Sequence, residues 1–363
     1  MPRIVFVAAT VLIAATVSFH PASSSGQQDT NNPDVSFQSE ANLVSVYFTV
    51  RDGKRRLVTN LRKEQFRAYE EGREQSIGFF SHHSDVPLNL GVLLDTSTNL
   101  PRLLGLEAEA ASQFLRRVLR PKDLAFVVSY RARVEILQVP TAQLELLEEK
   151  VQSIRAYGQT EPLSDSRSPS PSGIPWPTLP GRPPVSTPTP GWGNDPLQRV
   201  AKLYDALGLS ASRFLSKEIG RKAVVIVALA DDARSDSTLE NALLTLHQND
   251  VIAYVLQVDH GPQVRTVRDK CDVLHIFSSE PPNRIGRLAE ETGGRVLKVQ
   301  GFDRLQAAFE EIGEELHNQY SLGYRPANQQ WDGHWRRIRI RARGGNYHIQ
   351  SRKGYYATPR HSP

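Results

Sequence analysis

At 363 residues the chain is long enough for two domains of ordinary size, each with a core of its own. Hydrophobic residues make up 39% and charged residues 23%, and 44 Lys and Arg against 39 Asp and Glu leave a net charge of only +5. That balance excludes a disordered chain and a nucleic-acid coat, and it names no partner.

The chain opens on Met1, Pro2 and Arg3, then an apolar run from Ile4 to Phe19, then Pro21, Ala22 and Ser23 to Ser25. One early cation, a short apolar stretch and a small-residue segment predict a secretory signal peptide over residues 1–26. Residues 27–40 are polar and predict a disordered leader. The single cysteine, Cys271, excludes an internal disulfide, so an exported fold must rest on its packing.

From Asn42 to Arg51 the apolar residues Val44, Val46, Phe48 and Val50 alternate with Ser45, Tyr47 and Thr49, the period of a strand with one buried face. Asp52-Gly53 and Glu71-Gly72 read as turns, with a further strand over Gln75 to Phe80. Residues 41–84 are therefore expected to be all-β.

At Leu88 the pattern changes to continuous apolar runs, at Leu88 to Leu94, Leu124 to Tyr130, Ala223 to Leu229 and Val251 to Val258. Strands of that kind are covered on both faces. Between and after them, Leu104, Ala108, Ala111, Leu115 and Val118 share one helical face, as do Leu305, Ala308, Phe309, Ile312 and Leu316. Alternating strand and helix over residues 86–318 predicts a doubly wound, mostly parallel sheet. Residues 162–196 interrupt it with eleven prolines among Ser, Thr and Gly, a composition predicting a flexible insertion.

After His317 alternation returns. Tyr320 to Tyr324 reads as a strand. In Trp335 to Arg343, Ile338, Ile340 and Ala342 face one way while Arg337, Arg339, Arg341 and Arg343 face the other, a solvated stripe or a docking surface for an anionic partner. Tyr347 to Ser351 is expected to hairpin back across Gly344-Gly345. Residues 319–357 thus predict the second part of one discontinuous β domain into which the α/β domain is inserted, with residues 358–363 as a tail.

At the carboxyl end of the first buried strand stands Asp95-Thr96-Ser97-Thr98-Asn99. A carboxylate with hydroxyl and amide oxygens at every second residue suits a hard cation, and ligands of doubly wound sheets collect beyond the carboxyl ends of the strands. The segment resembles the metal-ion-dependent adhesion site of von Willebrand factor A domains, whose first element is Asp-x-Ser-x-Ser. Four further stretches resemble a family of von Willebrand A-related proteins common in Acidobacteria. They are Leu57 to Phe80, Leu203-Tyr204-Asp205-Ala206, Tyr320 to Pro326, and Arg352-Lys353-Gly354-Tyr355-Tyr356.

The resemblance implies a von Willebrand A-like α/β domain that presents the Asp95 end of its sheet to a protein partner at the cell envelope, adhering or assembling there. It also implies Mg²⁺ or Mn²⁺ held by Asp95 and Ser97, by Asn99 where the family has Ser, and by a Thr and an Asp on later loops. Ala201 stands near the expected Thr, for which Thr160 is a candidate. Leu229 stands at the expected Asp, with Asp231 and Asp232 as candidates. These departures predict a weak or lost metal site, so a metal-independent binding scaffold of the same fold is the alternative. A hydrolase using the crevice is the third reading, and no phosphate loop, nucleophile elbow or His-Glu-x-x-His pair supports it, so no catalytic residue is assigned. His82-His83 reads as a lone pair in a linker and Cys271 as an inert buried thiol. No nucleic-acid partner and no membrane span in the mature chain are expected, and the expected location is secreted or periplasmic. The mature amino terminus is expected between Ala22 and Gln28, which mass spectrometry of the envelope fraction checks; a chain starting at Met1 in the cytosol rules it out.

Overall fold

The computed structural model describes residues 43–82, 86–97, 101–158, 201–229, 235–259, 284–301 and 304–358. The signal segment and leader, the proline-rich insertion, His83 and Cys271 lie outside the described residues.

The fold is a doubly wound α/β sheet set between the two halves of an all-β sandwich. Its strands are β1 (Val44–Arg51), β2 (Phe66–Glu70), β3 (Arg73–Gln75), β4 (Ile77–His82), β5 (Leu88–Asp95), β6 (Leu124–Tyr130) and β7 (Val134–Thr141). They continue as β8 (Arg221–Ala228), β9 (Val251–Asp259), β10 (Val296–Gln300), β11 (Tyr320–Tyr324), β12 (Trp335–Ala342), β13 (His348–Ser351) and β14 (Gly354–Tyr356). The described helices are α1 (Pro101–Val118), α2 (Leu144–Ser153), α3 (Leu203–Leu209), α4 (Leu239–Gln248), α5 (Arg284–Thr292) and α6 (Leu305–His317). None of them is long and apolar enough to cross a membrane.

The central sheet runs β7-β6-β5-β8-β9-β10. Counted from β5 this is the 3-2-1-4-5-6 order of a doubly wound sheet, so the chain reverses direction across the sheet between β5 and β8. Neighbours are parallel except β7, which is antiparallel to β6. β5 is buried at every residue, as its unbroken apolar run requires. One face packs under α1, α2 and α6, where Phe114 stacks on Phe309 at 4.8 Å, and the other under α3, α4 and α5. The α1 stripe predicted at Leu104, Ala108, Ala111, Leu115 and Val118 is fully buried.

The sandwich draws both its sheets from both ends of the chain. One runs β13-β1-β11-β4 and the other β14-β12-β2-β3. Val44, Val46, Phe48 and Val50 of β1 share a core with Phe66 and Ala68 of β2, Tyr320, Leu322 and Tyr324 of β11, and Ile338 and Ile340 of β12. Glu70, buried in this core, accepts hydrogen bonds from the hydroxyls of Tyr324 and Tyr355, both at 2.9 Å. Arg337, Arg339 and Arg341 are exposed as the alternation predicted.

Several elements depart from the sequence reading. β13 does not hairpin onto β12; it pairs antiparallel with β1, while β14 takes the place beside β12. The chain crosses from one sheet to the other at Gly344-Gly345. The strand expected over Gln75 to Phe80 is two strands, because β3 pairs with β2 and β4 with β11 in the opposite sheet. β2, β7 and β10 carry too few alternating residues to stand out by period. His82 is no linker residue: it ends β4, its ring 4.4 Å from that of Tyr320.

Ion pairs, one of them centred on a buried carboxylate, join sandwich to sheet. Glu315 of α6, fully buried, is bridged by Arg51 of β1 at 2.5 Å and by Arg295. Arg352 pairs with Asp250 and donates to the Ser45 carbonyl at 2.6 Å. Gly293 lies at φ +93°, and a Cβ there would stand 2.5 Å from the Arg352 nitrogen, so the approach of these segments needs glycine.

We propose that residues 41–84 with 319–357 and residues 86–318 are separate folding domains. Among the described residues the strands of 86–318 pair only with one another, whereas β1 has β11 and β13 as its ladder neighbours. A chain ending at residue 318 is expected to aggregate, and a fragment of residues 86–318 to melt cooperatively. Soluble, cooperative folding of the shortened chain would show that the two β segments are independent.

Candidate functional site

β5 ends in Asp95 at the reversal point of the sheet, between β5 and β8, the place where ligands of doubly wound sheets collect. Asp95 is fully buried. Its Oδ1 accepts the main-chain N–H of Ser97 at 3.0 Å and its Oδ2 that of Leu229, also at 3.0 Å. One carboxylate thus clasps the loop that follows it to the end of β8. Burial pushes the Asp95 carboxyl up to about 6, against the opposing hydrogen bonds from Ser97 and Leu229.

Behind Asp95 the helix α1 brings Glu107, also fully buried. Neither of its carboxylate oxygens has a hydrogen-bond partner among the described residues, and the same holds for the Thr96 hydroxyl. Burial first, and the Asp95 carboxylate beside it second, hold the Glu107 carboxyl well above the ordinary carboxylate range; the Asp95 main chain opposes this least. The sequence reading missed Glu107 although its signal was present. It falls three residues after Leu104 and four before Ala111, on the apolar stripe of α1, where a carboxylate has no water to face.

Of the residues assigned to a metal site, Asp95 and Ser97 are brought together here, while Asn99, Thr160, Asp231 and Asp232 lie outside the described residues. Leu229 follows β8 and is 6% exposed, an apolar side chain where the resemblance calls for a carboxylate. Ala201 is likewise buried. Among the described residues no group of three or more His, Cys, Asp or Glu side chains is placed to hold a metal ion. Among the described donors, both Asp95 oxygens are engaged by amides and an isobutyl group stands at the end of β8, so Asp95 and Ser97 by themselves do not make a site for a hard dication.

A neighbouring loop is held in the same manner. Asp205 of α3 accepts the N–H groups of Asp236 at 3.0 Å and Ser237 at 2.9 Å, and Lys202 reaches Asp236 at 2.7 Å. The Asp of Leu203-Tyr204-Asp205-Ala206 therefore fixes the segment that leads into α4.

No family model matches the chain, and no curated protein matches it. Solved structures similar to it include proximal thread matrix protein 1 from the mussel byssus, at 11% identity and a TM-score of 0.40, over 74% of this chain and 50% of that one. This chain thus spans about half the length of that protein, of which another structure has a zinc-occupied metal-ion-dependent adhesion motif. A von Willebrand factor type A structure from Catenulispora acidiphila is similar at 10% identity and a TM-score of 0.44, over 87% of this chain and 74% of that one. At such scores the fold class rests on the strand order and directions described above, which are von Willebrand A/Rossmann-like.

Because Asp95 and Glu107 are harder to ionise in the folded chain than in the unfolded one, their contribution favours folding at low pH and is lost as pH rises. For Asp95 that loss runs from the ordinary value of 3.8 up to about 6. Glu107→Gln, which keeps the shape and removes the charge, is expected to stabilise the fold measurably at neutral pH. The gain should shrink towards pH 4. Denaturant melts across that pH range check it, and a gain independent of pH would show that Glu107 does not carry the penalty.

Proposed function

We propose that this chain is an exported binding protein, not an enzyme, whose von Willebrand A-like domain presents the Asp95 end of its sheet to a protein partner at the cell envelope, with metal playing little part. The observation that carries this reading is the Asp95 clasp. Two main-chain N–H groups from two loops occupy the carboxylate that a metal-dependent site would spend on a cation. Ser97 and Leu229, at the ends of β5 and β8, are thereby tied to each other through one side chain, and preorganisation of that kind favours docking. Export rests on the amino-terminal pattern.

A second reading, cation-assisted docking, draws support from one observation. The Thr96 hydroxyl and both Glu107 oxygens are buried beside Asp95 without partners among the described residues, and a weakly held cation would satisfy oxygens of that kind.

Thermal melts with Mg²⁺, Mn²⁺ or EDTA, on the native sequence and on Asp95→Ala, separate the two. For a dissociation constant on the order of 1 mM, about 10 mM Mg²⁺ should stabilise the fold by only ~1.4 kcal/mol, a rise of roughly 2 to 4 °C. Leu229→Asp, which restores the carboxylate the resemblance calls for, is expected to be destabilised in EDTA and rescued by Mg²⁺. A rise several times larger in the native chain, abolished in Asp95→Ala, would overturn the metal-independent reading.

A further inference from the structure

β10 ends the central sheet on the side away from β7. In its parallel ladder with β9, the Arg295 carbonyl accepts from the Val255 N–H at 3.0 Å, and the Gly301 N–H donates to the Asp259 carbonyl at 3.1 Å. Main-chain groups alternate sides along a strand, so Arg295, Leu297, Val299 and Gly301 face β9. Val296, Lys298 and Gln300 turn their N–H and C=O groups outward, and among the described residues those groups have no hydrogen-bond partner. Lys298 and Gln300 are exposed, so the edge is open to solvent.

This edge is one wall of a cleft of about 780 Å³. Helix α6 supplies another wall, where Ala307 and Ala308 leave room for a main chain alongside, and the ends of β1 and β13 supply a third. The cleft is basic. Arg51 and Arg295 are neutralised by Glu311 and Glu315, but Arg55, Lys298 and Arg304 line it with no acidic partner among the described residues. A second copy of this chain fits poorly, because antiparallel pairing centred on Lys298 sets that lysine against itself, and like charges directly opposite are destabilising.

We propose that the β10 edge takes up an extended segment of another protein as an added strand, with acidic side chains on that segment facing Arg55, Lys298 and Arg304. The outward groups of Val296, Lys298 and Gln300 supply the main-chain hydrogen bonds, and the three cations select for charge. A strand of about five residues spans the edge at ~3.3 Å per residue. This surface is separate from the Asp95 crevice, two strands along the same sheet.

The probe is a fluorescent synthetic peptide that alternates Glu with Val, compared with one of the same sequence N-methylated at every residue, which has no N–H to donate to the outward carbonyls. The full chain is expected to bind the first peptide and to lose about tenfold or more in affinity for the second. A loss of the same size is expected in Arg55→Glu with Arg304→Glu, and in Lys298→Pro relative to Lys298→Thr. Hydrogen exchange of the native chain should slow at the amides of Val296, Lys298 and Gln300 when the peptide is added. That measurement stands whether or not Lys298→Pro folds. Four outcomes each overturn the proposal: no binding of the first peptide, equal binding of the N-methylated peptide (a surface for any polyanion), unchanged exchange at the three amides, or a dimer in sedimentation that Lys298→Pro abolishes.

Discussion

The pairing of β1 with β11 on one side and β13 on the other is the contact on which the rest of the architecture depends. A strand formed by residues 44–51 needs neighbours that are made some 270 to 300 residues later, so neither end of the chain can bury its apolar face without the other. The entropy of closing so long a loop grows only slowly with its length, and the inserted α/β sheet shortens the gap by holding its own ends together. Arg221 takes part in this, donating from β8 to the Leu316 carbonyl at the end of α6 at 2.5 Å.

Three buried carboxylates show how the chain treats charge in its interior. Glu315 lies at the junction of sandwich and sheet and is matched by two arginines. Glu70 lies inside the sandwich, takes two tyrosine hydroxyls and has Arg336 3.6 Å away. Glu107 has no cation beside it among the described residues, no hydrogen bond of good geometry to either oxygen, and another carboxylate as its near neighbour. Burying an unpaired charge is costly, so the first two sites are built as architecture, whereas the third concentrates the cost beside the crevice. Perturbed carboxyls gather at such places when a site has work to do.

The two surfaces proposed above differ in character. At the sheet reversal, shape is fixed by main-chain groups clasped on Asp95 and Asp205, which favours recognition by a preformed surface. Along β10 the outward main-chain groups have no partner among the described residues and cations stand beside them, which favours recognition by strand addition. One sheet carries both because a parallel sheet has two kinds of boundary, the carboxyl ends of its strands and its lateral edges.

By itself the sequence determined the fold class. The uninterrupted apolar runs of β5, β6, β8 and β9, the α1 stripe and the alternation of β1 and β12 are local patterns with distinct periods, and each became the element its period implies. It also marked Asp95 as the residue at the strand end, and the departures at Leu229 and Ala201. Only the tertiary structure decided that β13 pairs with β1 and not with β12, since a strand's partner is chosen by which sheet needs its buried face and not by its neighbours in the chain. It alone showed that the Asp95 oxygens are taken by the N–H groups of Ser97 and Leu229. Main-chain amides are the same at every residue, so no side-chain pattern announces where they point.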